Sequence, residues 1–266
     1  MAPIVTSEQF SEFREQGVTV LRGVFSDWVD VLRKGVDANM ADPDPNARIY
    51  TGKDGGGRFF VDYCNWARIT EYKEFIFNSN AATIGAELMD SKKVQLFHEH
   101  VLVKEAATGV PTPWHQDAPY YCVDGTKTVS LWIPLDDVPR ETTPEFISGS
   151  HKWDKFYRPQ RFDGSALNEH DGLDDIPDIN GHRGDYDILG WAVGPGDAIA
   201  FDYRTIHGAP ANASLSNQRR AFSLRLVGDD TRFVRREGIV TSPPFPGVTL
   251  EHGDILAGEE FPVLLN

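Results

Sequence analysis

His115 and Asp117, two positions apart in Trp114-His115-Gln116-Asp117, and His207 far downstream are the residues of this chain best suited to chemistry. Read as a β-strand, the His-x-Asp spacing turns both side chains to one face. A second imidazole from a distant strand then completes two nitrogens and one carboxylate oxygen. That set holds one face of an octahedral Fe(II) and leaves the other face open for substrate and O2. Three protein ligands are too few to close a structural metal site, so the open positions point to catalysis. The bland alternative is a structural His–Asp hydrogen bond plus a loop histidine.

The flanking sequence decides between them. Pro111-Thr112-Pro113 precedes the motif and Ala118-Pro119-Tyr120-Tyr121 follows it. Ser148-Gly149-Ser150-His151, the turn Gly194-Pro195-Gly196-Asp197, then His207-Gly208 and Arg219-Arg220 come in that order. From about Phe10 to Val227 the chain resembles the phytanoyl-CoA dioxygenase family of Fe(II)- and 2-oxoglutarate-dependent oxygenases. The resemblance implies a double-stranded β-helix in which His115, Asp117 and His207 bind iron. A carboxylate in the triad, where related halogenases have a small residue, implies hydroxylation or a related oxidation. The expected reaction hydroxylates an unactivated C–H bond of a small organic molecule and releases succinate and CO2.

The co-substrate 2-oxoglutarate carries a distal carboxylate that needs a cation, and the planar fork of arginine suits it. Arg219 best matches the family's arginine. Arg220 and Arg225 are rivals, because neighbours on a strand face opposite sides. Lys104 is expected to add charge near the co-substrate, and Gln95 and Trp132 to line its pocket. Core packing competes for Trp132, as it does for Phe97. In this architecture Tyr120 and Tyr121 would face the open side of the metal and contact substrate.

Two other readings compete. His98-Glu99-His100 with Glu105, followed by the Gly-Asp turn, His207 and Asn212, mimics the two motifs of cupin metalloenzymes, which do not need 2-oxoglutarate. The glycine expected before the paired histidines is missing, and Trp114-His115-Gln116-Asp117 would go unexplained. A non-catalytic jelly-roll binding protein is the third reading, and the intact triad argues against it.

The remaining sequence must build elements that position these groups. The 266 residues suit one large domain, residues 1–266, and 40% hydrophobic with 25% charged residues is ordinary for a globular protein. A net charge of −14 repels phosphate backbones and anionic membranes, which excludes nucleic acid as an expected partner. It also weighs against an acyl-CoA substrate, although Arg232, Arg235 and Arg236 form a local basic cluster. No apolar run approaches the ~20 residues of a membrane span. The N-terminal stretch lacks the pattern of a secretory signal, and Cys64 and Cys122 make no disulfide framework, so the cytoplasm is the expected compartment.

Thr6-Ser7-Glu8-Gln9 predicts a capping box opening a helix to about Gln16. Val18–Leu21 reads as a strand, and Ser26 as the cap of a helix through Met40. Two more helices fit Glu71–Phe77 and Ala81–Met89. Strands follow at Val94–Val103, Val129–Leu135, Ala198–Phe201 and Arg220–Val227. Helices first and antiparallel strands later predict a mostly β fold with flanking helices, a jelly roll. The polar stretch from Phe156 to Asp187 reads as a long loop covering the metal's open face, and the tail from Thr241 as a surface wrap.

Overall fold

The computed structural model describes residues 3–52, 55–168, 172–236 and 239–266. Helix α1 (Ser7–Gln16) opens with the expected box: Thr6 Oγ1 accepts from the Gln9 amide, and the Gln9 side chain accepts from the Thr6 amide. Gly17 ends it in the left-handed region. Ser26 does not cap the next helix. It starts a short 3-10 turn, Ser26–Trp28, and α2 runs from Val29 to Ala41. The Ser26 hydroxyl instead donates to the Gly23 carbonyl. Helices α3 (Thr70–Asn78) and α4 (Ala81–Met89) follow as expected to within a residue.

The strands are β1 (Val18–Leu21), β2 (Arg48–Thr51), β3 (Arg58–Tyr63), β4 (Val94–Lys104), β5 (Thr112–His115), β6 (Val123–Asp124), β7 (Thr128–Pro134), β8 (Glu145–Ile147), β9 (Ile188–Leu189), β10 (Ala198–Phe201), β11 (His207–Ala209), β12 (Arg219–Val227), β13 (Arg232–Phe233) and β14 (Val263–Leu265). Two antiparallel sheets carry the site. The larger has the order β1-β10-β7-β12-β4-β3-β2, with β14 added to β4, and the smaller has the order β5-β11-β8-β9. The helices cover the outer face of the large sheet, where Tyr72, Phe75, Ile84 and Leu88 bury against Phe222, Leu224 and Leu226. The inner face turns toward the small sheet, and the cavity lies between them. The jelly roll expected from the order of elements is the fold observed.

Two details position the site. A bulge opposite Arg225 and Leu226 leaves Phe97 as an extra residue on β4. Strand alternation then restarts, so His98, His100, Leu102 and Lys104 all face the cavity while Glu99 points away. At Gly208, an added Cβ would sit 3.2 Å from the Thr112 carbonyl oxygen and 3.3 Å from the Trp114 nitrogen. The missing side chain lets β11 run close against β5.

The C-terminal tail is not a surface wrap. Leu256 and Phe261 are 1% exposed, and the Gln95 amide donates to both of their carbonyls. Gln95 therefore plugs the end of the barrel remote from Lys104. Nine residues at ~3.3 Å per residue separate the two along β4, so Gln95 does not line the cavity. Phe97 joins Tyr121, Tyr203 and Phe261 in the core there.

Candidate active site

His207 and His115 are direct partners in the β11–β5 pairing, and their ring centroids are 4.1 Å apart. Each imidazole is oriented from behind. Nδ1 of His115 donates to the Pro113 carbonyl at 2.8 Å, and Nδ1 of His207 to the Thr205 carbonyl at 2.9 Å. Both Nε2 atoms are left free for a ligand. Asp117 lies beyond the end of β5, in a helical backbone conformation, so a turn and not strand alternation brings its carboxylate round. The Ala118 amide pins that turn to the Tyr203 carbonyl at 2.8 Å. Ligand atoms of His115, Asp117 and His207 all lie within 4.8 Å of one another, the only such cluster among the described residues.

The carboxylate is held at one end. Its Oδ2 accepts from Ser130 Oγ at 3.0 Å and faces Arg225 Nη2 at 3.4 Å, while Oδ1 turns toward His115 Nε2 at 3.7 Å. Burial alone would raise the Asp117 carboxyl, but the Arg225 guanidinium beside it holds it well below the usual carboxylate range. Arg225 also donates through Nε to the Tyr121 hydroxyl at 2.5 Å. It is thus committed to the triad's carboxylate. Tyr121 is correspondingly turned to the inner end of the cavity, and of the two tyrosines Tyr120 stands at the open side. Tyr120 lies edge-on to His115, and its hydroxyl donates to the Gln160 carbonyl at 2.5 Å.

Arg220 faces outward and pairs with Asp136 at 2.8 Å. Arg219 and Lys104 are cross-strand partners that both reach into the cavity, 7% and 1% exposed. Arg219 contacts the carbonyls of Thr142 and Pro210, and Lys104 Nζ donates to Pro210 at 3.1 Å from above the Phe59 ring. Neither has a carboxylate partner among the described residues. Burial depresses both, Arg219 to about 10 and Lys104 well below its ordinary value, the latter also through repulsion by Arg219. Two buried cations without a counter-ion would be stabilised by an anion placed beside them. Trp132 is 7% exposed and lines the same cavity.

The cavity holds about 220 Å³. Part of the long polar segment borders its mouth: Gln160, Arg161, Phe162 and Leu167 line it, and Phe162 packs on Phe59 and Tyr50. Ile176 and Ile179 instead pack beside Trp114, and residues 169–171 of the expected lid lie outside the described residues. Sequence reasoning missed the β2–β3 hairpin, which supplies Tyr50, Phe59, Val61 and Tyr63, and also missed Ser242 and Pro243 from the tail. The apolar run Phe59-Phe60-Val61, rich in strand-forming residues, was a usable signal for β3. The basic cluster is largely committed internally: Arg235 pairs with Glu251, and Arg236 donates to the Tyr121 carbonyl.

The cupin-like motif is not a metal site. Glu99 accepts from the Asn65 amide on the far face of β4, and Glu105 pairs with Arg58. The buried histidines predict that this region is sensitive to acid. Burial lowers His98 and His100 well below the ordinary histidine value, lowers His115, and takes His207 down to about 3. A histidine depressed on folding binds its proton more readily when unfolded, so stability is lost as pH falls below the unfolded value of ~6.5. Metal-free protein should therefore be less stable at pH ~5.5 than at pH ~7. A urea midpoint that stays flat over that range would show that these rings are not buried and neutral.

Among solved structures, the non-heme alpha ketoglutarate dependent carbocyclase SnoK from nogalamycin biosynthesis is similar at 21% identity, covering 97% of this chain and 96% of its own, with a TM-score of 0.75. The epimerase SnoN in complex with Fe3+, alpha ketoglutarate and nogalamycin RO is similar at 20% identity, with 97% of each chain covered and a TM-score of 0.77. EctD from S. alaskensis with 2-oxoglutarate and 5-hydroxyectoine is similar at 20% identity, with 97% and 91% covered and a TM-score of 0.70. These likenesses establish the fold. No curated protein sequence is significantly similar to the chain. The family model of phytanoyl-CoA dioxygenase (PhyH) matches residues 13–221, most of the chain and both halves of the triad, so the protein belongs to the PhyH family.

Proposed function

We propose that this protein is a non-heme Fe(II)- and 2-oxoglutarate-dependent oxygenase acting on a small organic molecule. The observation that carries the reading is a three-ligand cluster and a pair of counter-ion-free buried cations in one cavity. Two imidazole nitrogens and one carboxylate oxygen, with both Nδ1 atoms already satisfied, fit Fe(II) in a site with open positions. His115, Asp117 and His207 hold the metal. Arg219 takes the distal carboxylate of 2-oxoglutarate, and Lys104 adds a second charge. Both ligands occur with the related fold in SnoN, and 2-oxoglutarate with EctD. When bound, the iron supplies O2 activation coupled to decarboxylation of 2-oxoglutarate to succinate and CO2.

The chain's own contribution is positioning. Arg225 and Ser130 fix one oxygen of Asp117 and leave the other for the metal. Trp132, Phe201 and Phe59 wall off the co-substrate end and keep water from it. Hydroxylation of an unactivated C–H bond is the outcome we favour. Ring closure and epimerisation, the activities named for SnoK and SnoN, are its alternatives, and only hydroxylation adds an oxygen to the product. Among the described residues no helix is long and apolar enough to cross a membrane, and Cys64 and Cys122 are unbridged, which supports the cytoplasm as the compartment.

The test is an anaerobic titration of the apoprotein with Fe(II) and 2-oxoglutarate. A weak visible charge-transfer band requiring both is the expected result, followed on oxygen exposure by succinate. No band, together with no succinate, would overturn the reading.

A further inference from the structure

Three polar side chains in the cavity wall have no role in the site described above. His98 is 2% exposed and Ser223 is 1% exposed, and neither His98 Nδ1 nor Ser223 Oγ has a hydrogen-bond partner. His100 Nε2 is likewise buried and unpartnered. His100 and Ser223 are direct cross-strand partners on β4 and β12, and His98 pairs with Arg225 one step further along. All line the cavity that holds the triad, whose lining also includes Arg225, Asp117 and His115. A buried polar group left unmet costs about 1–3 kcal/mol, so a wall carrying three of them is built for a partner from outside the chain.

The chemistry of the patch says what that partner is. The two free cations sit at the other end of the cavity, with Arg219 and Lys104. Here the buried cation, Arg225, is already paired with Asp117, and the other arginines lining the cavity, Arg48 and Arg161, are exposed. His98 and His100 are kept neutral by burial. A neutral imidazole offers one N–H and one lone pair, which suits a ketone or a hydroxyl and gives a carboxylate no charge to meet. Beside His100, Tyr63 lies edge-on at 5.7 Å and Leu102 and Tyr120 line the same cavity, with the exposed Arg48 and Arg161 also among its lining residues. Aromatic walls of this kind hold flat or ring-shaped apolar bodies.

We propose that His100, backed by Ser223, is the hydrogen-bonding contact for an uncharged oxygen, ketone or hydroxyl, on a substrate whose body is an apolar ring system. The proposal names the substrate class for the oxygenase reading and rests on it. The motif that mimics a cupin metal site thereby acquires a different role, as a recognition element opposite the metal.

The experiment is calorimetric titration, without oxygen, of protein carrying Fe(II) and 2-oxoglutarate. The probes are 1-tetralone, its oxygen-free analogue tetralin, and the anion 1-naphthoate. Wild-type protein should bind tetralone more tightly than either of the others. His100→Leu should weaken tetralone by roughly tenfold, the loss of about one hydrogen bond, and leave tetralin unchanged. His100→Gln should restore most of the affinity. Ser223→Ala, which removes only an unpartnered hydroxyl and so should fold, should weaken tetralone by about threefold. Equal binding of tetralone and tetralin, preference for naphthoate, or no binding of any probe overturns the proposal. So does a His100→Leu variant that weakens 2-oxoglutarate in place of tetralone, which would make His100 a co-substrate contact. The charge-transfer band of the wild-type sample reports separately on the cofactors: its absence with tetralone selectivity intact would sink the oxygenase reading alone.

Discussion

Alanine at His115 or His207 will abolish iron-dependent turnover, by at least ~100-fold, and leave a folded protein. Each ring gives one nitrogen to the cluster and has its other nitrogen tied to a backbone carbonyl two residues back. With either removed, two ligands remain, and a two-ligand site holds iron poorly. The fold should survive because neither ring carries a structural ion pair. His207 stacks on Phe146 and packs near Phe201, contacts of ordinary core strength. Succinate formation, Fe(II) binding by equilibrium dialysis and circular dichroism together check the expectation. Full activity in either variant would dismiss the triad. Asp117 is a poorer target, since its loss would strand Arg225 as an unpaired buried charge and cost about 3–5 kcal/mol in stability.

Arg219→Ala should raise the 2-oxoglutarate requirement roughly a hundredfold or more while leaving iron affinity nearly unchanged, because breaking a buried charge pair on one side costs ~3–5 kcal/mol. The same change should not destabilise the ligand-free protein. Arg219 and Lys104 are buried side by side without a counter-ion, so removing one relieves both desolvation and repulsion. A structural arginine would give the opposite sign. Thermal melts with and without 2-oxoglutarate separate the two: the variant should match or exceed wild type alone and lose its gain with the ligand. Arg220→Ala, which breaks only the outward pair with Asp136, should leave the 2-oxoglutarate requirement where it was. A rise in that requirement for Arg220→Ala and none for Arg219→Ala would reverse the strand register.

The residues of the candidate site were legible in the sequence because residue type and flanking motif single them out. His115, Asp117, His207 and Arg219 could be picked out from their neighbours before any geometry was known. The supporting elements were legible where hydrophobic pattern was long, as in β4, β12 and α4. They were not where pairing alone makes the strand. β11 has three residues, and β2 is mostly exposed, so neither shows periodicity. Asp117 was placed on a strand because spacing alone cannot distinguish alternation from a turn that reaches the same point. Gln95 was misplaced for a related reason: the bulge at Phe97 and the plug of Leu256 and Phe261 are tertiary facts. His100 was noticed for the wrong metal motif, since its partnerless Nε2 is visible only in three dimensions.

The tail that brings Ser242 and Pro243 to the cavity begins beyond residue 221, where the family match stops. The residues proposed to hold the metal and co-substrate come from the barrel, whereas much of the rim comes from a hairpin, a loop and this trailing segment. Selectivity can therefore diverge by exchanging border pieces, with the reactive machinery left intact. For protein engineering, grafts at residues 48–63, 160–167 and 242–245 are the ones to swap between relatives when a new substrate range is wanted.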